Sequence, residues 1–332
     1  MTPRQFDRGA FSIGTVAVIL ALTLPFWVET FTLINLNVYV ILSILALSMA
    51  WVWGVGGVLS FGQSVFFGLG AYTYAVGAFN LGGSTSALLL SAIVPATAAG
   101  ALGYFLFYGR ISDVYLAVIT LTVSLILFHL INTVAGSGFA IASTALGGYN
   151  GIPGIPGLNA PWDTSRQLSY GETYVFSVVT LLAVYGLLRW LLASSFGQAV
   201  VAIRENELRA ELLGYDSRAY KLGVFVLGAV IAGLAGALYA AWGSFIGPGV
   251  FGISFAAQII IWAQVGGVAT LAGPILGCLI IQALTTWLGE TRLASADLVL
   301  GGVFVSFVLL LPAGLLPRLR SLLVRTDERG NG

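Results

Sequence analysis

Residues 194–242 decide the class of fold, because they join a charged segment to an apolar run that is long enough to cross a membrane. The charged segment, residues 194–221, reads SSFGQAVVAIRENELRAELLGYDSRAYK and carries four basic and four acidic residues. The run at 220–242 reads YKLGVFVLGAVIAGLAGALYAAW. About 20 apolar residues in a helix span the hydrocarbon core of a bilayer. The stretch therefore predicts a membrane helix preceded by a polar loop, and we call residues 194–221 the island.

The composition of the whole chain predicts a polytopic membrane protein. Of its 332 residues, 58% are hydrophobic and only 8% are charged, and the mean hydropathy is +0.97. These values lie far outside the usage of soluble proteins. The apolar runs are continuous rather than alternating, which argues against a membrane β-barrel. The 43 glycines are suited to close approach between membrane helices.

We predict an all-α fold of about ten transmembrane or partly broken helices in a single membrane domain over residues 1–332. The predicted segments are 11–28, 34–53, 61–79, 87–108, 113–135, 172–193, 220–242, 254–271, 273–289 and 298–316. Segment 61–79 is rich in glycine, and segments 254–271 and 273–289 meet at Ala272-Gly273-Pro274. These three are therefore the candidates for broken or re-entrant helices.

The distribution of basic residues predicts the orientation of this fold. With ten crossings and both termini in the cytoplasm, twelve of the 14 Lys and Arg residues fall inside, and only Arg166 and Arg292 fall outside. Such a bias is typical of membrane proteins, whose short cytoplasmic loops collect positive charge. The orientation makes 194–219 a cytoplasmic loop, 136–171 an extracytoplasmic loop and 318–332 a polar cytoplasmic tail.

The island itself shows the periodicity of an amphipathic helix. Steps of three and four place one set of residues on a single mildly apolar stripe: Ala199, Ala202, Ile203, Asn206, Ala210 and Leu213. We predict that Ser194 or Ser195 begins the helix, that Gly214 caps its end, and that Glu205 pairs with Arg209. The net charge of zero argues against binding to anionic lipid. Two interpretations remain: a solvated, self-paired loop helix, or a helix that docks into a soluble partner.

The chain resembles the permease subunits of branched-chain amino acid ABC importers. The motifs that carry the resemblance are GQAVVAIRENELRAELLGYDSRAYKLGVFVLGAVIAGLAGALYA at 197–240, GVGGVLSFGQSVFFGLGAYTYA at 54–75, VYLAVITLTVSLILF at 114–128, GGYNGIPGIP at 147–156 and VGGVATLAGPILGC at 265–278. The resemblance implies that the island contains the helix that couples the permease to a cytoplasmic ATPase subunit. The coupling residues would be Arg204, Glu205, Asn206, Glu207, Arg209, Ala210, Leu213 and Gly214.

The resemblance also implies the partners and the location. Such importers combine this permease with a second, homologous permease, two cytoplasmic ABC ATPase subunits and an extracytoplasmic solute-binding protein, in the lipid of the cytoplasmic membrane of a bacterium or archaeon. The chain itself contains no G-x-x-x-x-G-K-[ST] sequence for a phosphate-cradling loop. With a net charge of +1, nothing in the composition points to nucleic acid.

The predicted outer loop contains GGYNGIPGIPGLNAPW at 147–162, where Gly and Pro indicate irregular backbone. Four residues match a GG-x-NG pattern of the resembled family: Gly147, Gly148, Asn150 and Gly151. One interpretation is a surface connection. The other is a segment that caps the translocation path or contacts the solute-binding protein.

Polar residues within the apolar segments are candidates for the lining of a translocation path. They are Ser60, Gln63, His129, Gln258 and Gln264. Hydrogen bonding between helices is the simpler interpretation of each, and for His129 we predict a buried neutral imidazole. The helix at 113–135 departs from the resembled family, in which an acidic residue commonly follows the threonine-leucine pair, because Ser124 and Leu125 stand there instead. The resemblance implies import of branched-chain or other small apolar amino acids, but this departure leaves the substrate open. Urea or short amides are the alternative, because urea-type permeases share the GG-x-NG and coupling-loop patterns.

The residues do not support an enzyme. The one His and the one Cys are about 150 positions apart, and the carboxylates lie in loops or beside basic residues, so no nucleophile and base are paired. Cys278 has no companions at metal-ligand spacing, so we predict a packing role for it and expect neither metal nor cofactor. A self-sufficient secondary transporter or channel and a structural membrane scaffold are the functional alternatives from other classes.

Overall fold

The apolar segments form a bundle of long helices. The structure, a computed structural model, describes residues 20–134, 139–160 and 163–291, together with 301, 302, 305, 314–316 and 318. Half of the predicted segment 11–28, most of the predicted segment 298–316 and all but the first residue of the predicted tail 318–332 lie outside the described residues. The described part of segment 11–28 ends in a 3-10 helix at Leu24–Phe26.

Eight predicted segments coincide with described helices, and the island adds two more. The helices are α1 (Thr30–Met49), α2 (Gln63–Leu81), α3 (Ser84–Tyr108), α4 (Asp113–Thr133), α5 (Tyr170–Ala193), α6 (Ser195–Glu205), α7 (Glu207–Leu212), α8 (Ser217–Gly243), α9 (Ile253–Gly266) and α10 (Ala272–Thr291). Six described helices are long and apolar enough to cross a membrane. The segment predicted at 254–271 forms only a 14-residue helix, because the backbone leaves the helix after Gly266.

Helices α1 and α8 form the centre of the bundle. The apolar windows of these two helices are 78% and 72% buried, against 17–22% for α3, α4 and α5. Small residues allow the central contacts, since a Cβ added at Gly70 of α2 would lie 2.2 Å from the carbonyl oxygen of Gly233 of α8. Such close backbone contact is how membrane helices gain packing energy without a hydrophobic driving force. The peripheral helices leave their apolar sides to lipid or to a partner.

Helix α1 does not end as an α-helix. It continues as a π-helix over Ala50–Val55, in which the amide of Gly56 bonds the carbonyl of Trp51 five residues earlier. Short π segments in helices are frequently found at functional sites. Residues 56–62 then lead into α2, so the predicted glycine-rich break at 61–79 lies just before this helix rather than within it.

Short strands and 3-10 turns cover one end of the bundle, which we call the loop end. The strands are β1 (Ala140–Ile141), β2 (Thr144–Ala145), β3 (Ile152–Pro153), β4 (Asn159–Ala160), β5 (Asp163–Gln167) and β6 (Phe245–Ile246). They pair antiparallel as β1 with β2, β3 with β6 and β4 with β5. The predicted outer loop is thus partly ordered by strand pairing, and its β3 is tied to the segment between α8 and α9.

The opposite end of the bundle carries the island, and we call it the island end. A single helix over the island was predicted, and this is wrong. The chain forms α6 and α7, with a break at Asn206, whose backbone is extended (φ −158°, ψ 96°). Its side chain accepts a hydrogen bond from the amide of Arg209 at 2.9 Å, so Asn206 caps the second helix.

Candidate functional site

Both ends of the island are held as the sequence predicts. Ser194 is the N-cap of α6, where its hydroxyl accepts from the amide of Gly197. After α7, the amide of Gly214 donates to the carbonyl of Glu211. The amide of Tyr215 donates to the carbonyl of Ala210. This pair of bonds is the Schellman motif, and Gly214 supplies the left-handed backbone (φ +93°) that it requires.

The predicted apolar stripe of the island is only partly correct. Ala199 and Ile203 of α6 and Ala210 of α7 are buried against the bundle, whereas Ala202, Asn206 and Leu213 are exposed. The stripe was predicted to continue across position 206, but the helix breaks there and α7 begins in a new direction. The buried stripe therefore attaches the island to its own bundle.

A second apolar surface points away from the bundle, and the sequence analysis missed most of it. Leu208, Leu212 and Leu213 are 69%, 81% and 72% exposed, and we call these three side chains the leucine face. Large apolar side chains clustered on a polar loop are a common mark of a protein interface. The spacing of Leu208 and Leu212 by four residues was the available signal, but only the stripe through Ala210 and Leu213 was followed in the sequence.

Charges on α7 bind it to the start of α8. The carboxylate of Glu207 lies 2.6 Å from the ammonium of Lys221, and the hydroxyl of Ser217 donates to Glu211 at 2.6 Å. The predicted pair of Glu205 with Arg209 does not form, because the break at Asn206 removes the four-residue helical spacing. Glu205 instead lies 3.7 Å from Arg204.

Arg204 is partly exposed and reaches from the island to the π-helix that follows α1. Its guanidinium donates to the carbonyl of Gly54 in that π-helix. We call Thr30–Val55, which is α1 with its π-helix, the first span, since it is the first of the described spans. Its alkyl chain passes Gly57, where an added Cβ would lie 2.8 Å from Cγ of Arg204. This contact ties the loop outside the bundle to a membrane helix.

Two interrupted segments meet halfway along α4, at a cluster that we call the Ser124 junction. The hydroxyl of Ser124 lies 2.9 Å from that of Ser64 at the start of α2, and it donates to the carbonyl of Phe251 at 2.7 Å. One turn earlier, Thr120 accepts from the amide of Phe61 at 3.1 Å. Segment 56–62 approaches from the island end and segment 244–252 from the loop end, so the junction joins both interruptions.

The structure places two of the predicted path residues near the junction, and both are buried. Ser60 is 0% exposed and its hydroxyl accepts from the amide of Gly62, which shapes the turn into α2. Gln63 is 1% exposed, and its carbonyl oxygen accepts from the hydroxyl of Ser48 at 3.2 Å. Its amide nitrogen has no hydrogen-bond partner among the described residues. Ser60 and Gln63 were predictable as polar residues in apolar segments, but the roles of Thr120 and Phe251 depend on the tertiary fold.

The three other predicted path residues lie elsewhere. His129 was predicted to be buried, and this is wrong, because it lies on the exposed side of α4 towards the loop end, with its ring against Phe128 at 5.5 Å between centroids. Gln258 is exposed on α9, where it borders a small cleft with Gln282 of α10. Gln264 is partly buried near the end of α9. The structure thus separates these residues from the Ser124 junction.

The predicted residues of the outer loop act mainly through their backbone. A Cβ added at Gly147 would lie 1.8 Å from the carbonyl oxygen of Gly151, and one added at Gly151 would lie 2.2 Å from that of Ile246. Gly148 is buried in the same 3-10 turn, and Asn150 is exposed. The pattern therefore allows the loop to pack tightly on β6.

Part of the outer loop is fastened to α2 through one side chain. Asn80 donates to the hydroxyl of Thr144 at 2.9 Å and accepts from the amide and the hydroxyl of Ser143 at 3.0 and 2.6 Å. These bonds fix the β1–β2 hairpin. Phe139 and Ile141 of this region and Tyr149 beside it are exposed.

Within the described residues, no group of three His, Cys, Asp or Glu side chains is placed to hold a metal ion. Cys278 is fully buried between α10 and α1, which agrees with the predicted packing role. The described residues form packed helices with two non-helical segments, 56–62 and 244–252. Exposed apolar side chains lie at both ends of the bundle, in the leucine face at the island end and around Phe139 and Tyr149 at the loop end. Such an arrangement suits a membrane component that works with partners.

Comparison with known proteins agrees with this description. A family model described as "Branched-chain amino acid transport system / permease component" matches residues 31–311. The permease protein LivM of the high-affinity branched-chain amino acid transport system of Escherichia coli K12 is 30% identical over 95% of this chain and 77% of its own length. No solved structure matches the chain.

Two further relatives match about half of the chain. BraD of Pseudomonas aeruginosa, named as a permease protein of the same kind of system, is 29% identical over 46% of this chain and 49% of its own length. LivH of Escherichia coli K12, also a permease protein of the high-affinity branched-chain amino acid system, is 27% identical over 49% of this chain and 55% of its own length. Since the family model covers most of the sequence and the apolar helices fit a multi-pass membrane protein, the chain belongs to the family of branched-chain amino acid transport system permease components.

Proposed function

We propose that this permease is a subunit of an ABC importer that moves branched-chain amino acids into the cell, together with a second permease, two ATPase subunits and an extracytoplasmic solute-binding protein. The observation that carries the proposal is the leucine face, an exposed apolar surface on a loop with fixed ends. The names of the relatives support the substrate class. Urea and short amides are the alternative substrates, and the uptake assay distinguishes them from amino acids.

The ATPase subunit would bind at the island end, which the charge bias places in the cytoplasm. Leu208, Leu212 and Leu213 would enter a groove on that subunit, and the exposed Glu205 and Arg209 would set its orientation. The buried stripe, the Schellman motif and the Glu207–Lys221 pair hold α7 rigid. A rigid element loses little entropy on binding, so it suits the transmission of force.

The second permease would be a related but different chain. LivM and LivH are both named as permease proteins of the high-affinity system of Escherichia coli K12, and this chain matches LivM over 95% of its length but LivH over only 49%. The longer match to LivM favours this chain as the LivM-like permease of the pair, with a LivH-like chain as its partner. The weakly buried α3, α4 and α5 offer surfaces for that contact.

The solute-binding protein would bind at the loop end. Phe139, Ile141 and Tyr149 are 52%, 52% and 69% exposed there, on a segment held by Asn80 and by pairing with β6. Substrate released from that protein would then pass along a path beside the Ser124 junction. In transporters, interrupted membrane helices commonly meet at the substrate path, which supports this assignment.

Reconstitution tests the proposal. The permease is incorporated into liposomes with its partner permease and ATPase subunits, and the binding protein is added outside. We expect ATP-dependent uptake of leucine, isoleucine or valine. Uptake of urea in place of these amino acids would overturn the substrate class, and flux through the chain alone under an ion gradient would overturn the assignment to an ABC importer.

A paired variant tests the docking surface. Replacing Leu208 and Leu212 by Ser is expected to weaken binding of the ATPase subunits by about tenfold or more, because fully burying one leucine side chain is worth about 1.5–3 kcal/mol. Gln198→Ser, at an exposed position on α6, is the control. Unchanged co-purification of the ATPase with the double variant would contradict docking through the leucine face.

A further inference from the structure

Arg204 occupies a different surface of the island from the leucine face. It lies in the last turn of α6, one residue before Glu205 and two before the break at Asn206. Its guanidinium donates to Gly54, and its alkyl chain packs at Gly57. A residue that only docked a soluble partner would have no need of these contacts with the first span.

The hydrogen bond satisfies a helix end. The last carbonyls of a helix lack partners within the helix, and they lie at the negative end of its dipole. Gly54 stands in the last turn of the π-helix that ends α1, so the cation of Arg204 is both a donor and a favourable charge there. The contact is therefore a specific one rather than an accident of packing.

Gly54 also contacts a third element. A Cβ added at Gly54 would lie 1.9 Å from the carbonyl oxygen of Val268, in the turn between α9 and α10. The next glycine, Gly56, lies against α8, since its added Cβ would lie 2.7 Å from Cγ1 of Val224. A displacement of Gly54 must therefore shift both the α9–α10 turn and the first span.

The chain leads directly from Gly54 to the Ser124 junction. Residues 56–62 do not form an α-helix, and within them the amide of Phe61 donates to the hydroxyl of Thr120 in α4. Ser64 then bonds Ser124. Since a π-helix followed by a non-helical segment has fewer regular bonds than an α-helix, it is the part of this path that bends most readily.

We propose that Arg204 is the positioning residue that transmits movement of the island to the first span, through the carbonyl of Gly54. This inference rests on the proposed ATPase docking. When the ATPase moves the leucine face, α6 moves with α7, and Arg204 draws the end of the π-helix with it. Segment 56–62 then changes the position of α2 against α4 at the Ser124 junction.

The experiment uses the complete transporter in liposomes and compares ATP hydrolysis with substrate uptake. We expect Arg204→Gln to bind the ATPase subunits normally and to hydrolyse ATP, while uptake falls about tenfold and the ATP used per substrate rises correspondingly. Arg204→Lys keeps a cation and a donor, so it should recover a large part of the lost uptake. Arg189→Ala, at an exposed position of α5 on the same side, is the control.

Distinct results would overturn the inference. Loss of ATPase binding in Arg204→Gln would make Arg204 a docking residue, and an unchanged ratio of ATP to substrate would make the contact with Gly54 purely structural. If Arg204→Gln does not assemble, Arg204→Met is measured instead, because it keeps the alkyl chain against Gly57 but removes the donor to Gly54, and a wild-type ratio in that variant overturns the inference. Failure of the proposed function is a separate result, because the wild-type complex would then show no ATP-dependent uptake.

Discussion

Ser64 and Ser124 are hydrogen-bonded at 2.9 Å, halfway along α4 and at the first turn of α2. Both hydroxyls are fully buried. The same hydroxyl of Ser124 reaches the carbonyl of Phe251, which enters from the opposite end of the bundle. Ser124 therefore satisfies a backbone carbonyl of one interruption and, through Ser64, holds the helix that follows the other, while Thr120 accepts from the backbone amide of Phe61 in that other interruption. Buried backbone groups at membrane depth require such partners.

The Ser124→Ala variant tests this junction. Removing the hydroxyl leaves the carbonyl of Phe251 without its donor, and an unsatisfied buried group costs about 1–3 kcal/mol. We expect a lower melting temperature in detergent and reduced uptake. The control is Thr122→Ala, whose hydroxyl is exposed and bonds only the carbonyl of Val118 in its own helix. Equal stability of the two variants would contradict a role of Ser124 in joining the interruptions.

The Gly54→Ala variant tests the close contact with Val268. The new methyl group would lie 1.9 Å from a backbone oxygen, and the backbone cannot give way as a flexible side chain can. We expect the free energy of unfolding to fall by about 1–3 kcal/mol or more, which would be seen as a lower melting temperature. Gly100→Ala in α3 has open space around the added Cβ and should be neutral or slightly stabilising. A neutral Gly54→Ala would show that the turn and the first span do not touch.

Asn206→Ala tests the break in the island. Loss of the cap on the amide of Arg209 is expected to lower the stability of α7 by about 1 kcal/mol. It should also let α6 and α7 merge into one helix. The leucine face would then turn relative to the bundle, so ATPase binding should weaken. Asn206→Ser supplies another capping side chain and should bind the ATPase nearly as the wild type does. Titration of the ATPase subunits against both variants in detergent measures the difference.

Asn80→Ala tests the fastening of the outer hairpin. The variant removes the bonds to Ser143 and Thr144, so the β1–β2 hairpin should move more freely. We expect a higher concentration of binding protein for half-maximal uptake, with little change in the maximal rate. Asn80→Asp keeps the acceptor for Ser143 and should show a smaller effect. A change in the maximal rate alone would place Asn80 in the transport step instead.

Helix positions were predictable where the sequence has a long run of apolar residues, because such a run in lipid must bond its own backbone groups as a helix. The segments 87–108 and 220–242 agree with α3 and α8 within a few residues at each end. The caps at Ser194 and Gly214 were predictable because they depend on local bonds over a few residues. The break at Asn206 was not, since its flanking residues fit a continuous helical period equally well.

The sequence by itself determined the membrane class, the described spans and the location of the polar segments, because the cost of placing polar groups in lipid acts on each segment separately. Only the tertiary structure decided which side chains meet. Arg204 and Gly54 are 150 positions apart, and Ser124 and Phe251 are 127 apart. Contacts over such separations depend on how the helices pack against one another, and the steric fit of glycines such as Gly54 decides that packing rather than any local pattern.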